Sequence, residues 1–166
     1  MAEELRDFEL EQNYGVASRG TRSLTLQTHQ YINQNLSGSL VLLEQNYAKI
    51  SLKTTAQMAV DEYDLIHGGF IFAAADFGAM AAINDPYVIL SGAQTDFYAP
   101  VKAGDEVIFE AKSRYNDSRK RVVDVIGTVN EIKVFEGQFD AVVLEKHILK
   151  SNIKHMPRKT SEEESS

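Results

Sequence analysis

The chain has 166 residues, 43% of them hydrophobic and 25% charged, which suits one globular domain with a sizeable core. It has no cysteine, which excludes disulfides, thiolate metal sites, redox dithiols and a cysteine nucleophile. With 17 Lys and Arg against 24 Asp and Glu its net charge is -7, a poor match to nonspecific nucleic-acid binding; it carries no span of about 18 uncharged apolar residues and no apolar signal core, so a cytoplasmic setting away from membranes is expected.

Residues 2–13 read as a short acidic helix with Leu5 and Phe8 on one side and Glu3, Glu4, Asp7, Glu9 and Glu11 on a solvated face. Residues 22–36 suggest a second helix carrying Leu24, Tyr31, Ile32 and Leu36. From Ser39 the period becomes two. Leu40, Leu42, Ala48, Ile50 and Leu52 alternate with polar neighbours, predicting a hairpin that turns near Gln45-Asn46. Residues 54–66 read as irregular, and Asp61, Glu62 and Asp64 as a solvated loop rather than metal ligands.

His67-Gly68-Gly69 opens a run of small and apolar residues that reaches Asn84. The run is too long for a strand, and its alanines favour a helix. It is apolar on every side, so the helix must be covered all round. Four strands follow, at about 87–98, 105–115, 120–130 and 132–146, with turns at 100–105, at Asn116-Asp117-Ser118 and at Asn130-Glu131. The tail from Ser151 is polar and reads as frayed. The expected organisation is an N-terminal helical extension over 1–36, a folded domain over 37–148 and a polar tail over 149–166. A hairpin, one buried helix and an antiparallel meander make an α+β domain in which a curved sheet of about six strands wraps the helix.

Between Gly68 and Ile83 the only charged side chain is Asp76. A carboxylate in such a helix is costly unless it meets a donor or water, which marks it as a functional group in a cleft. Gly68 and Gly69 lie at the helix start, where backbone N–H groups lack intrahelical partners and the helix dipole favours a developing oxyanion. The eight residues from Gly68 to Asp76 span about 12 Å. One chain therefore cannot bring both groups to one carbonyl. If both act together, the site is shared between two antiparallel helices of a dimer.

His67-Gly68-Gly69 with Asp76 resembles the motif of the hotdog-fold acyl-CoA thioesterases, most closely the phenylacetate-pathway type. Thr55-Ala56-Gln57-Met58 before the motif and Phe97-Tyr98-Ala99-Pro100-Val101-Lys102-Ala103-Gly104-Asp105 after it extend the resemblance over about residues 35–147. It implies the hotdog fold, a long central helix wrapped by an antiparallel sheet, in a homodimer or a dimer of dimers. It implies acyl-CoA as substrate, with no metal or other cofactor. Asp76 would be the nucleophile or the base that activates water, Gly68 would polarise the thioester carbonyl, and His67 would shape the helix start. Gly69, Phe77 and Thr95 are expected near the substrate. Arg119 and Lys120, which sit with Arg114 and Arg121 around one hairpin, are candidates for the coenzyme A phosphates.

Leu90-Ser91-Gly92-Ala93, together with Pro100 to Asp105, also resembles the effector domain of hotdog repressors of fatty-acid synthesis, which sense malonyl-CoA and carry no catalytic Asp. Three functions follow. Hydrolysis of an acyl-CoA thioester leads, because Asp76 is present. A non-catalytic acyl-CoA-binding module is second. A hotdog hydratase is third, since residues 61–67 do not clearly supply its catalytic His pattern.

Overall fold

The structure, a computed structural model, describes residues 24–114 and 119–152. The acidic segment 2–13, the turn at 116–118 and the tail beyond 152 lie outside the described residues.

The chain enters as an irregular strap over residues 24–33, and only Gln34–Ser37 (α1) is helical. This corrects the helix expected over 22–36. His29 adopts a left-handed φ of 55°, and the Asn33 side chain accepts from the Asn35 N–H and starts α1 afresh. Thr and Asn side chains compete with helical backbone bonds, and here the competition wins. Tertiary contacts complete it. The Gln27 N–H donates to Asn84 Oδ1 at 2.7 Å, and Asn84 Nδ2 donates to the Thr25 carbonyl at 3.0 Å.

The hairpin forms as the alternation predicts, with β1 (Ser39–Glu44) and β2 (Tyr47–Lys53) joined through Gln45 and a left-handed Asn46, φ 61°. After a 3-10 turn at Ala56–Met58 comes the long helix α2 (Gly68–Ile83), which Asn84 closes in the left-handed conformation at φ 55°. Then follow β3 (Val88–Phe97), β4 (Glu106–Arg114), β5 (Lys120–Val129) and β6 (Ile132–Val143). The β5–β6 turn has positive φ at both Asn130 and Glu131, the signature of a tight turn matched to strand twist.

One antiparallel sheet of six strands results, in the order β1-β2-β4-β5-β6-β3. Its concave face holds α2, whose Ala74, Ala75, Phe77, Gly78, Ala79, Met80, Ala81 and Ala82 are buried. Gly78 allows the close approach: a Cβ there would lie 3.3 Å from Ile50 Cγ1 and 3.6 Å from Ala111 Cβ. Phe109, Phe135 and Phe139 are fully buried beside it, with Phe109 and Phe135 edge to face at 5.9 Å. Each such side chain contributes about 1.5–3 kcal/mol by leaving water. The opposite face is polar, with Lys49 near Glu110 at 3.5 Å and Arg114 paired with Asp124 at 3.1 Å. No described helix is long and apolar enough to cross a membrane.

Candidate active site

The loop ahead of α2 is held from two sides. Thr54 Oγ1 donates to the Asp105 carbonyl at 2.6 Å and lies 3.0 Å from that of Lys102. Asp105 Oδ2 accepts from the Lys102 N–H at 2.9 Å. The segment 100–105 is thus a locked turn against the end of β2. From it the Val101 carbonyl accepts the Ile66 N–H at 2.9 Å, while the Met58 carbonyl accepts the His67 N–H at 2.9 Å. These bonds aim the start of α2.

His67 is the N-cap residue but makes no capping bond with its side chain, and no acidic residue occupies the first turn. The helix start therefore keeps its positive end open. The His67 ring packs edge-on against Phe70 at 6.0 Å and folds over Gly69, where a Cβ would meet Nε2 at 2.8 Å. A Cβ at Gly68 would meet the Phe97 ring at 3.4 Å, so Phe97 walls that side. A pocket of about 320 Å³ opens here, lined by Gly68, Ile71, Phe97, Tyr98, Pro100 and Val101 among others. Thr95 is on β3 opposite Gly137, on the same face as Phe97 and two residues along.

Asp76 projects from the middle of α2. Its Oδ1 is buried and finds no hydrogen-bond partner among the described residues. Burial raises its pKa from 3.8 to about 6. At neutral pH the group is ionised yet basic enough to take a proton, which suits a general base. Phe77, the next residue, is core rather than open pocket wall, 2% exposed.

Arg119 and Lys120 stand elsewhere. Lys120 pairs opposite Val142, which in turn pairs with Ile89 at the far end of β3. The eight residues from Ile89 to Phe97 span about 26 Å. Within one chain these cations do not share a site with Gly68. Arg119 is paired with Glu145 and Arg114 with Asp124. Among the described residues no group of three His, Asp or Glu is arranged to hold a metal.

Sequence reasoning missed His29. Its ring stacks on Phe77 with centroids 6.2 Å apart, and Thr28 Oγ1 lies 2.7 Å from Nδ1. Burial lowers its pKa, so the imidazole is neutral at pH 7. The strap contacts that bring it here are long-range, and no local signal announced them.

No family model matches the chain. A protein of Aquifex aeolicus described as methylthioribose-1-phosphate isomerase is 46% identical over 121 residues, which are 73% of this chain but 26% of that protein. The transcription factor FapR of Caldanaerobacter subterraneus subsp. tengcongensis is 31% identical over 68% of this chain and 57% of its own length. The chain thus spans only part of each of these curated relatives. Among solved structures, the uncharacterized protein PH1136 of Pyrococcus horikoshii is 40% identical with a TM-score of 0.75, covering 76% of this chain and 97% of that one. Cj0977 of Campylobacter jejuni, described as a sigma28-regulated virulence protein, is 42% identical with a TM-score of 0.74, covering 75% and 89%. PaaI of E. coli, from the phenylacetic acid degradation operon, shares the fold at 21% identity and a TM-score of 0.65, covering 72% and 88%. With its six-stranded sheet wrapped on one long helix, the chain has the hotdog fold, which it shares with PaaI, and it belongs to one family with the Pyrococcus and Campylobacter proteins.

Proposed function

We propose that the protein hydrolyses an acyl-CoA thioester in a homodimer whose two α2 helices run antiparallel. The observation that carries this reading is the half-buried Asp76, whose buried Oδ1 has no hydrogen-bond partner among the described residues and whose pKa is raised to about 6, on a helix whose N-terminus is left open. The outer edge of β3 supports the dimer. It has no neighbouring strand among the described residues, and Ala93, Gln94, Asp96 and Phe97 are exposed along it. An open edge of this length favours pairing with a second copy.

In that dimer Asp76 of one protomer stands beside the partner's Gly68. The thioester oxygen accepts from the Gly68 N–H, reinforced by the dipole of the helix start. Asp76 takes a proton from water as the water oxygen bonds to the carbonyl carbon. The tetrahedral oxyanion then collapses, the C–S bond breaks, and the thiolate of coenzyme A leaves and recovers the proton from Asp76. An alternative order has Asp76 attack first and water hydrolyse the anhydride. His67 and Gly69 shape the oxyanion end and Thr95 bounds the acyl side, while Phe77 stays in the core. Arg119 and Lys120 can serve the phosphates only across an interface, given the length of sheet between them and Gly68.

The likeness to FapR favours a second reading, a non-catalytic acyl-CoA-binding module in which Asp76 orients the ligand. A thiol-release assay over acyl-CoAs from acetyl to palmitoyl decides between them. Turnover that disappears in Asp76→Ala supports hydrolysis. Thermal stabilisation by an acyl-CoA without turnover supports the binding module.

A further inference from the structure

The pocket at the start of α2 is bordered by Gly68 itself, whose N–H holds the thioester oxygen in the hydrolytic reading above, on which this inference rests. Two arms leave the carbonyl carbon of such a thioester, the acyl group and the pantetheine arm of coenzyme A. At about 320 Å³ the pocket is at the lower end for a small ligand, with room for one arm and not for the whole coenzyme.

The lining decides which arm fits. Ile66, Ile71, Phe97, Val101 and Val134 supply apolar wall, and Ile71 stands one turn after Gly68 on the same side of α2. No Lys, Arg, Asp, Glu, Asn or Gln lines the pocket among the described residues. The Tyr98 hydroxyl already donates to Glu136 Oε2 at 3.0 Å. Backbone donors are engaged as well. The Ile66 N–H donates to the Val101 carbonyl at 2.9 Å, and the Tyr98 and Ala99 N–H groups donate to the Val134 carbonyl at 2.8 and 3.4 Å. The amide groups of a pantetheine arm would lose water here and find no side-chain partner. An alkyl chain loses nothing and leaves water with each methylene. A carboxylate at its end would enter without a counter-charge, since Lys133, 4.9 Å over the Tyr98 ring, is already held by Glu136 at 2.6 Å. The single methyl of an acetyl group would leave most of the pocket empty.

We infer that this pocket is the acyl subsite, that the preferred substrate carries an uncharged apolar acyl group larger than acetyl, and that Leu65 and Ala99 in its wall set that selectivity. The pantetheine arm leaves Gly68 outside the pocket.

The test compares kcat/KM of the full chain on acetyl-, hexanoyl- and 5-carboxypentanoyl-CoA, the last two matched in length and different in charge. Hexanoyl is expected to exceed acetyl by at least about ten-fold, and the carboxylated chain by at least about ten-fold. Ala99→Phe sets a ring in the pocket and is expected to bring the hexanoyl-to-acetyl ratio to within about two-fold. Leu65→Lys changes an exposed side chain and sets an ammonium at the pocket wall; it is expected to bring the hexanoyl-to-carboxylated ratio to within about two-fold. A parent that does not prefer hexanoyl to both other thioesters, or ratios unchanged in both variants, overturns this inference and leaves the hydrolase reading standing. Absence of hydrolysis with every thioester, acetyl-CoA included, overturns both.

Discussion

Replacing Asp76 by Asn keeps the shape of the side chain and removes its titration. In the folded chain the carboxyl ionises near pH 6, against 3.8 ordinarily. Below pH 3.8 it is protonated in both states and contributes no pH dependence. As pH rises from 3.8 to 6 the unfolded chain gives up this proton while the folded chain keeps it, so stability falls. Above 6 the loss is constant, at about 3 kcal/mol for a shift of about two units. At pH 5 the same linkage gives about half that value. Asp76→Asn escapes this loss. The stability gap between variant and parent should therefore widen by about 1.5 kcal/mol from pH 5 to pH 8, equivalent to about 3–6 °C in Tm for a chain of this size. Urea unfolding of both proteins at the two pH values reads the gap, and comparing pH values cancels any constant effect of the amide. A gap that stays flat, or narrows as pH rises, refutes the claim that burial holds this carboxylate high.

The same carboxylate governs rate. Thioester hydrolysis should rise with pH through an apparent pKa near 6 and level off above 7, and a pH–rate profile that falls over this range would rule out Asp76 as base. Gly68→Ala retains the N–H but sets a methyl 3.4 Å from the Phe97 ring, inside the pocket at the helix start. It should leave Tm within a few degrees while cutting kcat/KM by at least about ten-fold, as expected for obstruction near an oxyanion donor. Phe135→Ala removes a fully buried ring that touches Phe97, Phe109 and Phe139, and should lower stability by about 3–5 kcal/mol in denaturant titration. Thr54→Val removes the hydroxyl shared by the Asp105 and Lys102 carbonyls, which keep their bonds from the Thr54 and Asp105 N–H groups; a loss of about 0.5–1.5 kcal/mol is expected, with slower turnover because the turn that aims the start of α2 loosens.

The parts of the fold that could be read from sequence are those written in local periodicity. Alternation over 39–53 placed the first hairpin, and Asn130-Glu131 placed the last turn to the residue. The run from Gly68 to Ile83 declared a helix by length and alanine content, and its lack of a polar face declared that a sheet must surround it. Asp76 stood out for the same reason, since a single charge in an apolar helix has no structural excuse. Residues 22–36 failed because their apolar spacing is helical while their conformation is set by partners far along the chain. Asn84 is 57 residues from Gln27, and Phe77 meets His29 only once the sheet has placed α2.

The order of elements, the burial of α2 and the identity of its one carboxylate are thus written in the residue pattern. Each of these follows from hydrophobic patterning within a dozen or so residues. Long-range contacts were needed to show that β3 lies at the sheet edge, that the strap crosses α2 at Phe77, and that Arg119 and Lys120 lie a sheet's length from Gly68. Those facts depend on which strands pair and where loops return. Pairing and loop return are properties of contacts between residues distant in the chain, and local patterning carries no record of them.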